Sequence, residues 1–483
     1  MRIDITSARL FGNEAGEDED EVIFQSYAIR RPELANFLAQ DVPISIVRAY
    51  KGEGKSALLR LVYLDLVAQN PAPVVLQVSA NSISPEIDGV ESDRWVRGWK
   101  ANILKQAARE IGKRIHLAFR DDAIALVEEA EASGFRSRNF VSSIADRLKT
   151  SAVPLERNRP PTANHQALLE RYLAGGDFVW MMIDDIDQNF ENTPINRVKI
   201  ASFFTAVRQI SIAIPEFRFR IAVRPNIWTI VKREYEAMSH VEQYVTDLIW
   251  SFEDFETMIS KRVEGYLRRT GQWTEFTRKL AKGWEIRPRE LIKLVFEDPM
   301  PWGMDRSRPP AVTLLTLARH RPRWLVELWR VSAKAAKSKN SEVIELTHIN
   351  TTLEAFGKRR IDDTVAEFKS QCPNVEDLLV AFVGESDSFK TADLLEIVQR
   401  KILKGNTSLR IFSVIGIPSA RETAHFLYQI GFLTARLDHA NGSYTHLAFS
   451  QNPSLLKSGT NVDQGHSWEV HPVFRYALRL KTH

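Results

Sequence analysis

A chain of 483 residues with 44% apolar and 26% charged side chains has the make-up of a globular protein of roughly two to four domains, with a substantial core. Its formal charge of +4 is too small to mark a dedicated nucleic-acid binder. Its one cysteine, Cys372, excludes an intrachain disulfide and any cysteine-based zinc cluster.

The chain opens on "MRIDITSARLFGNEAGEDEDE", which turns acidic where a signal peptide would be apolar. No later run approaches the ~18 apolar residues of a membrane span. A cytoplasmic protein with no membrane contact is expected. The acidic stretch 13–21 reads as a solvated, mobile segment. A short helix is expected over 31–39 and a strand at "ISIVR" (44–48). "GKSALLRLVYLDLVA" places Leu58, Leu59, Val62, Leu66 and Val67 on one helical face. "PVVLQVS" (73–79) reads as a second strand. A mostly helical region follows to about residue 174, with loops at "SGFRSRN" and "SAVPLERNRPPTAN". "DFVWMMIDDIDQN" (177–189) begins as a third strand, and "NRVKIASFFTAVRQI" is a helix. "FRFRIAVRPNIW" (217–228) reads as a fourth strand ending in a turn, and "VTDLIW" (245–250) as a fifth. Strands alternating with helices imply a parallel sheet covered on both faces.

Beyond residue 251 the strand signal fades into helices such as "FEDFETMISKRVEGYLRR" and "RPRWLVELWRVSAKAAK". From about 375, helices at 375–383, 391–403 and 419–430 precede the strand-like "GFLTARL" and "SYTHLAF", joined through "DHANG". This order reads as a winged helix, closed by "WEVHPVFRYALRL". The expected fold class is an α/β P-loop NTPase sheet with helices on both faces, then a helical lid and a C-terminal winged-helix-like domain. The expected boundaries are 1–29 for the acidic segment, 30–252 for the core with a helical insertion at about 90–175, 253–365 for the lid and 366–483 for the winged helix.

"AYKGEGKS" (49–56) is a P-loop pattern, G-x-x-x-x-G-K-[ST], with Ala49 in place of the first glycine. Such a loop aims backbone N–H groups and a helix N-terminus at phosphate. Lys51, Gly52, Glu53, Gly54, Lys55, Ser56 and Ala57 are the expected nucleotide-binding residues. Lys55 reaches the β/γ-phosphates and the Ser56 hydroxyl holds Mg²⁺. Ala49 falls at the end of a strand, where a methyl group costs little if φ stays negative. About 130 residues on, "WMMIDDIDQN" runs an apolar strand into carboxylates, as a Walker B element does. Asp184 is the expected Mg²⁺ partner and Asp185 the group that polarises the attacking water. Asp187 either caps the next segment or orients a neighbour. Arg224 follows a strand expected beside the Walker B strand and is placed to contact the γ-phosphate. In "RHRPRWLVEL", Arg321 and Arg323 flank Pro322 at a helix start. Arg323 is the expected nucleotide contact from the lid, although "IRPREL" (286–291) offers the same pattern and either copy can simply cap a helix.

Together these motifs resemble those of bacterial KAP-like and STAND-like P-loop ATPases, within the AAA+-related class that has an extra strand between Walker A and Walker B. "VRPNIWTIV", "VTDLIWSFEDFETMISKRVEGYL", "RPRWLVELWRVSAKAA" and "FLYQIGFLTARL" extend the likeness along most of the chain. The resemblance implies Mg²⁺-dependent ATP hydrolysis by an oligomeric switch or scaffold. It also implies a role in anti-phage defence with an effector on another chain. A site shared between subunits would use a neighbour's arginine, and Arg208, Arg218, Arg220, Lys232 and Arg233 supply basic side chains near the sensor. The alternative is a DNA-binding ATPase resembling origin-recognition initiators. Nucleic acid is not favoured, because "SARETAHFLYQI" offers only Arg421 and the wing "LDHANGSYTH" has neither lysine nor arginine. A nucleotide sensor without turnover is disfavoured by intact Lys55, Ser56, Asp184 and Asp185. His425, His439, His446, His466 and His471 match no metal-cage spacing, and His471 before Pro472 reads as a helix start.

Overall fold

The computed structural model describes residues 3–114, 126, 165–174, 176, 178–278, 286–302, 306–439, 444–457 and 463–481. The readings of 133–139 and 151–164 as loops, and of most of the "DHANG" turn, lie outside them. The chain divides into two compact units: Met1–Ile29 with Lys51–Gly54 and Ile249–His483, and Arg30–Tyr50 with Lys55–Leu248.

The second unit is built on five strands: β1 (Ile44–Arg48), β2 (Val74–Ser79), β3 (Val179–Asp184), β4 (Phe217–Val223) and β5 (Val245–Asp247). All pair in parallel, in the order β2-β3-β4-β1-β5. This is the α/β P-loop NTPase sheet that alternating strands and helices imply. Every residue of β4 is buried, and so are the first five of β3. β3 reads as an unbroken apolar run up to Asp184 because helices cover both faces, whereas β4 is buried throughout although Arg218 and Arg220 interrupt its apolar residues. The helix Lys55–Val67 buries Leu58, Leu59, Leu61, Val62, Leu64 and Leu66, while Val67 is exposed. On Ser92–Arg114, Trp99 meets Phe203 of Pro194–Ala213 edge-on, with centroids 5.1 Å apart.

Two sequence expectations change within this unit. The segment after β4 is a helix, Pro225–Glu234, because Pro225 sits at its first turn, where a missing N–H costs nothing. Arg224 is therefore the residue that caps that helix, not part of a loose turn. Arg218 and Arg220 are not spare basic side chains for a neighbouring subunit. Arg220 is fully buried, lies 4.5 Å over the Trp180 ring, and donates to the carbonyl oxygens of Phe37 (2.6 Å), Ala39 (2.8 Å) and Val42 (3.0 Å). It ties down the backbone leading into β1. Burial pulls its guanidinium down to about 9. Arg218 is also buried and donates to the carbonyl oxygens of Gln40 and Phe217. Lys232 is engaged by Glu242 at 3.1 Å.

The first unit is mainly helical. Phe252–Arg269 starts with a capping box in which Ser251 and Asp254 satisfy each other's backbone N–H. Pro322–Ser338 buries Trp324, Leu325, Leu328 and Trp329 on one face. The winged-helix-like part follows, with helices Val375–Val380, Thr391–Ile397 and Ala420–Gln429, the second running into a π-helical turn, Val398–Leu403. Leu433–Asp438 and Tyr444–Leu447 form the antiparallel hairpin. Ser467–Val470, within the expected closing segment, is a further strand on the other side of Leu433–Asp438, and it also pairs with Ser388–Phe389.

The acidic stretch is exposed at Glu17, Asp18, Asp20 and Glu21, as its charge implies, but it is tied down rather than free. Its carboxylates are taken up in the first unit: Glu14 pairs with Arg330 at 2.5 Å and Glu17 with Arg323 at 3.1 Å. Glu19 accepts from the Asn13 N–H and the Tyr27 hydroxyl. Leu10, Phe11, Phe24 and Tyr27 on either side are buried and anchor it. No helix among the described residues is long and apolar enough to cross a membrane.

Candidate functional site

β1 delivers the chain to the loop. Ala49 is 1% exposed and its N–H donates to the Val223 carbonyl at 3.2 Å, prolonging the β1–β4 ladder. It is not among the residues with positive φ, so a Cβ is tolerated there. Gly52 and Gly54 have φ of 83° and 98°, values that only glycine reaches without strain. The helix Lys55–Val67 begins at once, and Ser56 and Ala57 lie in its first turn. The Lys55 ammonium folds back on the loop and donates to the carbonyls of Ala49 (2.8 Å) and Tyr50 (3.3 Å). Those carbonyls hold the charge in place at the helix N-terminus, where a phosphate also binds well.

Within the first unit, the loop tip Lys51–Gly54 is gripped by three groups. The Lys51 N–H donates to Glu367 at 3.3 Å, and Glu367 pairs with Arg321 at 2.9 Å, both side chains 4% exposed. The indole N–H of Trp250 donates to the Glu53 carbonyl at 2.7 Å. The Arg323 N–H donates to the Gly52 carbonyl at 3.2 Å, and a Cβ on Gly52 would lie 3.1 Å from the Cβ of Arg323. Of the two Arg-Pro-Arg copies, the one at 321–323 therefore adjoins the loop. In the other, Arg289 is held by Asp298 at 2.6 and 2.8 Å. Glu367 and Trp250 have no local sequence signal. Only the tertiary fold brings them to the loop.

β3 ends in Asp184, which stands level with Ser79 of β2. Its carboxylate accepts the N–H of Asp185 at 2.8 Å, and Asp185 takes a left-handed conformation, φ 60°. Partial burial pushes the Asp185 carboxyl up, reinforced by Asp184 and Asp187 and opposed by Arg224 and Lys55. Asp187 is 2% exposed. Of the two roles open to it in the sequence, its side chain orients a neighbour. It accepts the Arg224 N–H at 2.5 Å and lies 3.3 Å from the Arg224 Nε. Burial raises its carboxyl, against the charges of Arg224 and Lys55.

The sheet order explains this convergence. β4 lies between β1 and β3, so the loop after β1, the carboxylates after β3 and Arg224 after β4 share the C-terminal edge of three adjacent strands. No cluster of three metal-ligating side chains occurs among the described residues. Mg²⁺ on phosphate substrates usually takes only one or two carboxylates, the rest of its shell being water and phosphate. Ser56, in the first turn of Lys55–Val67, and Asp184, at the end of β3, carry oxygen donors of the kind such an ion takes.

Neither a protein-family model nor a curated protein matches the sequence. Solved structures resemble the fold over nearly the whole chain. The ORC2 protein of Aeropyrum pernix, determined as ADPNP–ADP complexes, is 9% identical with a TM-score of 0.43 and covers 97% of this chain and 95% of its own. Cdc6p from Pyrobaculum aerophilum is 12% identical, TM-score 0.33, covering 98% of both chains. Drosophila ORC bound to DNA is 10% identical, TM-score 0.34, covering 99% of this chain and 92% of that one. Likeness at this level says nothing about activity.

Proposed function

We propose that this chain is a Mg²⁺-dependent ATPase of the AAA+-related class. The observation that carries the reading is the set of Lys55, Asp184, Asp185 and Arg224 at one edge of adjacent strands. In this reading the loop N–H groups and Lys55 hold the β- and γ-phosphates. Ser56 and Asp184 hold Mg²⁺, which when bound neutralises phosphate charge. Asp185 orients the attacking water and takes its proton as the bond from the γ-phosphorus to the bridging oxygen breaks. Arg224, positioned by Asp187, meets the charge on the transferring group. Arg323, beside Gly52, is the lid residue proposed to read the nucleotide. The boundaries 30–252, 253–365 and 366–483 are proposed as the core, the lid and the winged-helix-like domain, and a homo-oligomer as the working form. The test is ATP binding and phosphate release by the full chain with Mg²⁺ and with chelator. Failure to bind ATP overturns the reading.

The output of the ATPase has two candidate forms. A KAP-like or STAND-like switch in anti-phage defence, working with a separate effector, rests on motif resemblance alone. A DNA-binding ATPase resembling origin-recognition initiators is favoured by one observation, the winged-helix-like sheet that follows the helical lid. Against it, Arg421 is the sole lysine or arginine on Ala420–Gln429, and Arg436 of the hairpin is committed to Asp438 and Glu469. Duplex DNA titrated against the full chain with ATP separates them. Binding that weakens steeply with salt supports the second form, and none at low salt removes it.

A further inference from the structure

Beside the Walker B segment the second unit has a recess of about 210 Å³, lined in part by Asn81 after β2, Gln188 and Asn189 after β3, and Asn196 and Lys199 of the helix Pro194–Ala213. It is smaller than the roughly 300–1,000 Å³ of a drug-sized pocket. Its polar lining is four carboxamides and one ammonium, with no carboxylate. Trp99 and Ile186 supply apolar wall.

Lys199 is the informative residue. It is half-buried, and among the described residues its ammonium makes neither an ion pair nor a hydrogen bond. Lysines at a protein surface ordinarily carry the charge out to water along the apolar stem. A charge partly withdrawn from water and left without a counter-charge is costly, and here burial lowers its proton affinity with nothing offsetting it. The amides around it are arranged. Asn81 donates to the Gln188 side-chain oxygen at 3.0 Å, which fixes that carboxamide and leaves the Gln188 NH₂ with donors to give. Asn189 is held at φ 56°. A left-handed asparagine is tolerated better than most residues there, but it still marks a wall built at some cost.

A cation with surplus N–H donors and no anion of its own is complementary to an oxyanion. We propose that this recess is an anion site, taking a compact oxyanion, phosphate or carboxylate, on the Lys199 ammonium with Gln188, Asn189 and Asn196 as amide donors. The segment Asp185–Asn189 carries Asp185, the carboxylate proposed to orient water, and Asp187, which holds Arg224, as well as two donors of the recess. An anion held there steadies the same turn from its other side.

The test is hydrogen–deuterium exchange of the full chain carrying Lys55→Ala, so that binding at the P-loop does not enter and the result is independent of the ATPase reading. Inorganic phosphate and acetate are the probes, with chloride at matched ionic strength as reference. Saturable slowing of exchange in peptides covering 80–83 and 186–200 is expected. Protection by phosphate alone, or by acetate alone, identifies the headgroup. Lys199→Met keeps the apolar stem and should raise the midpoint concentration about ten-fold or more, the scale of one charged hydrogen bond. Lys199→Arg should retain binding within a few-fold, which separates loss of charge from loss of packing. No protection by either probe, equal protection by chloride, or an unchanged midpoint in Lys199→Met overturns the proposal.

Discussion

The Asp187 carboxylate holds Arg224 at two points, accepting its backbone N–H at 2.5 Å and lying 3.3 Å from its Nε. One buried side chain thus fixes both the helix start after β4 and the direction of the guanidinium at the site. Asp187→Asn keeps the shape and weakens the charge-assisted hold. ATP affinity and KM should change little, while kcat falls on the order of 10²-fold, the usual effect of a displaced catalytic group. Single-turnover kinetics beside equilibrium ATP binding check this. Equal loss in binding and turnover would make Asp187 a folding residue only.

Lys55 and Asp185 should separate binding from chemistry. Lys55→Ala takes away the charge at the phosphates and should remove both nucleotide binding and hydrolysis. Asp185→Asn keeps binding and should lower turnover by about 10²-fold or more, the general-base scale. Fluorescent-nucleotide titration and phosphate release distinguish the two. Wild-type turnover in Asp185→Asn would put the base elsewhere.

The parts of this site legible in the sequence are those written locally. β1 and the helix Lys55–Val67 have the bounds that apolar pattern and glycines imply. β3 runs into its carboxylates as an apolar strand must. What escaped is set by tertiary partners. A proline three residues before Trp228 reads equally as turn or helix start, and Pro225 is decided by the helix that packs there. Arg218 and Arg220 look solvated in sequence because nothing local shows the carbonyls of 37–42 that they meet. The run 13–21 looks free in sequence because its arginine partners lie some 300 residues away.

Glu17 and Arg323 compete with nucleotide if Arg323 is a lid contact. Their ion pair, at 3.1 Å, is 39% and 31% exposed. Exposed pairs are worth about 0.2–1 kcal/mol. Glu17→Gln should therefore raise ATP affinity only about two- to five-fold, and the gain should shrink as salt rises. Arg323→Ala should abolish the gain. ATP titrations of the single and double variants read this directly. If Glu17→Gln tightens binding equally in the Arg323→Ala background, the pair is irrelevant to the nucleotide.

The last expectation is a pH dependence of the C-terminal part of the chain, centred on His471. The ring Nδ1 of His471 accepts the Val473 N–H at 3.3 Å, capping Pro472–Arg475, and the backbone N–H of His471 donates to the Phe432 carbonyl at 2.9 Å. Burial holds its imidazole well below the ordinary histidine range, reinforced by Arg319, Arg475, His320 and His446. A capping acceptor must be unprotonated, so packing and function of this nitrogen agree. Above the unfolded value of about 6.5, both states are neutral and His471 contributes no slope. Below it, the unfolded chain binds a proton that the folded chain refuses. Stability therefore falls as pH falls, by up to about 1.4 kcal/mol per pH unit, until the folded value is reached. The nearby Glu469 acts in a lower window. Burial disfavours its charge, but hydrogen bonds from His446 and Arg436 and the charge of Arg475 outweigh that and hold it at about 2, so its contribution is lost only below about 4.3. Native-state hydrogen exchange of 467–480, corrected for intrinsic rates, should show the first loss between about pH 7 and 5. His471→Asn keeps a cap acceptor without a titrating group and should flatten that window while leaving the acidic one. An unchanged slope in His471→Asn would assign the loss to another group.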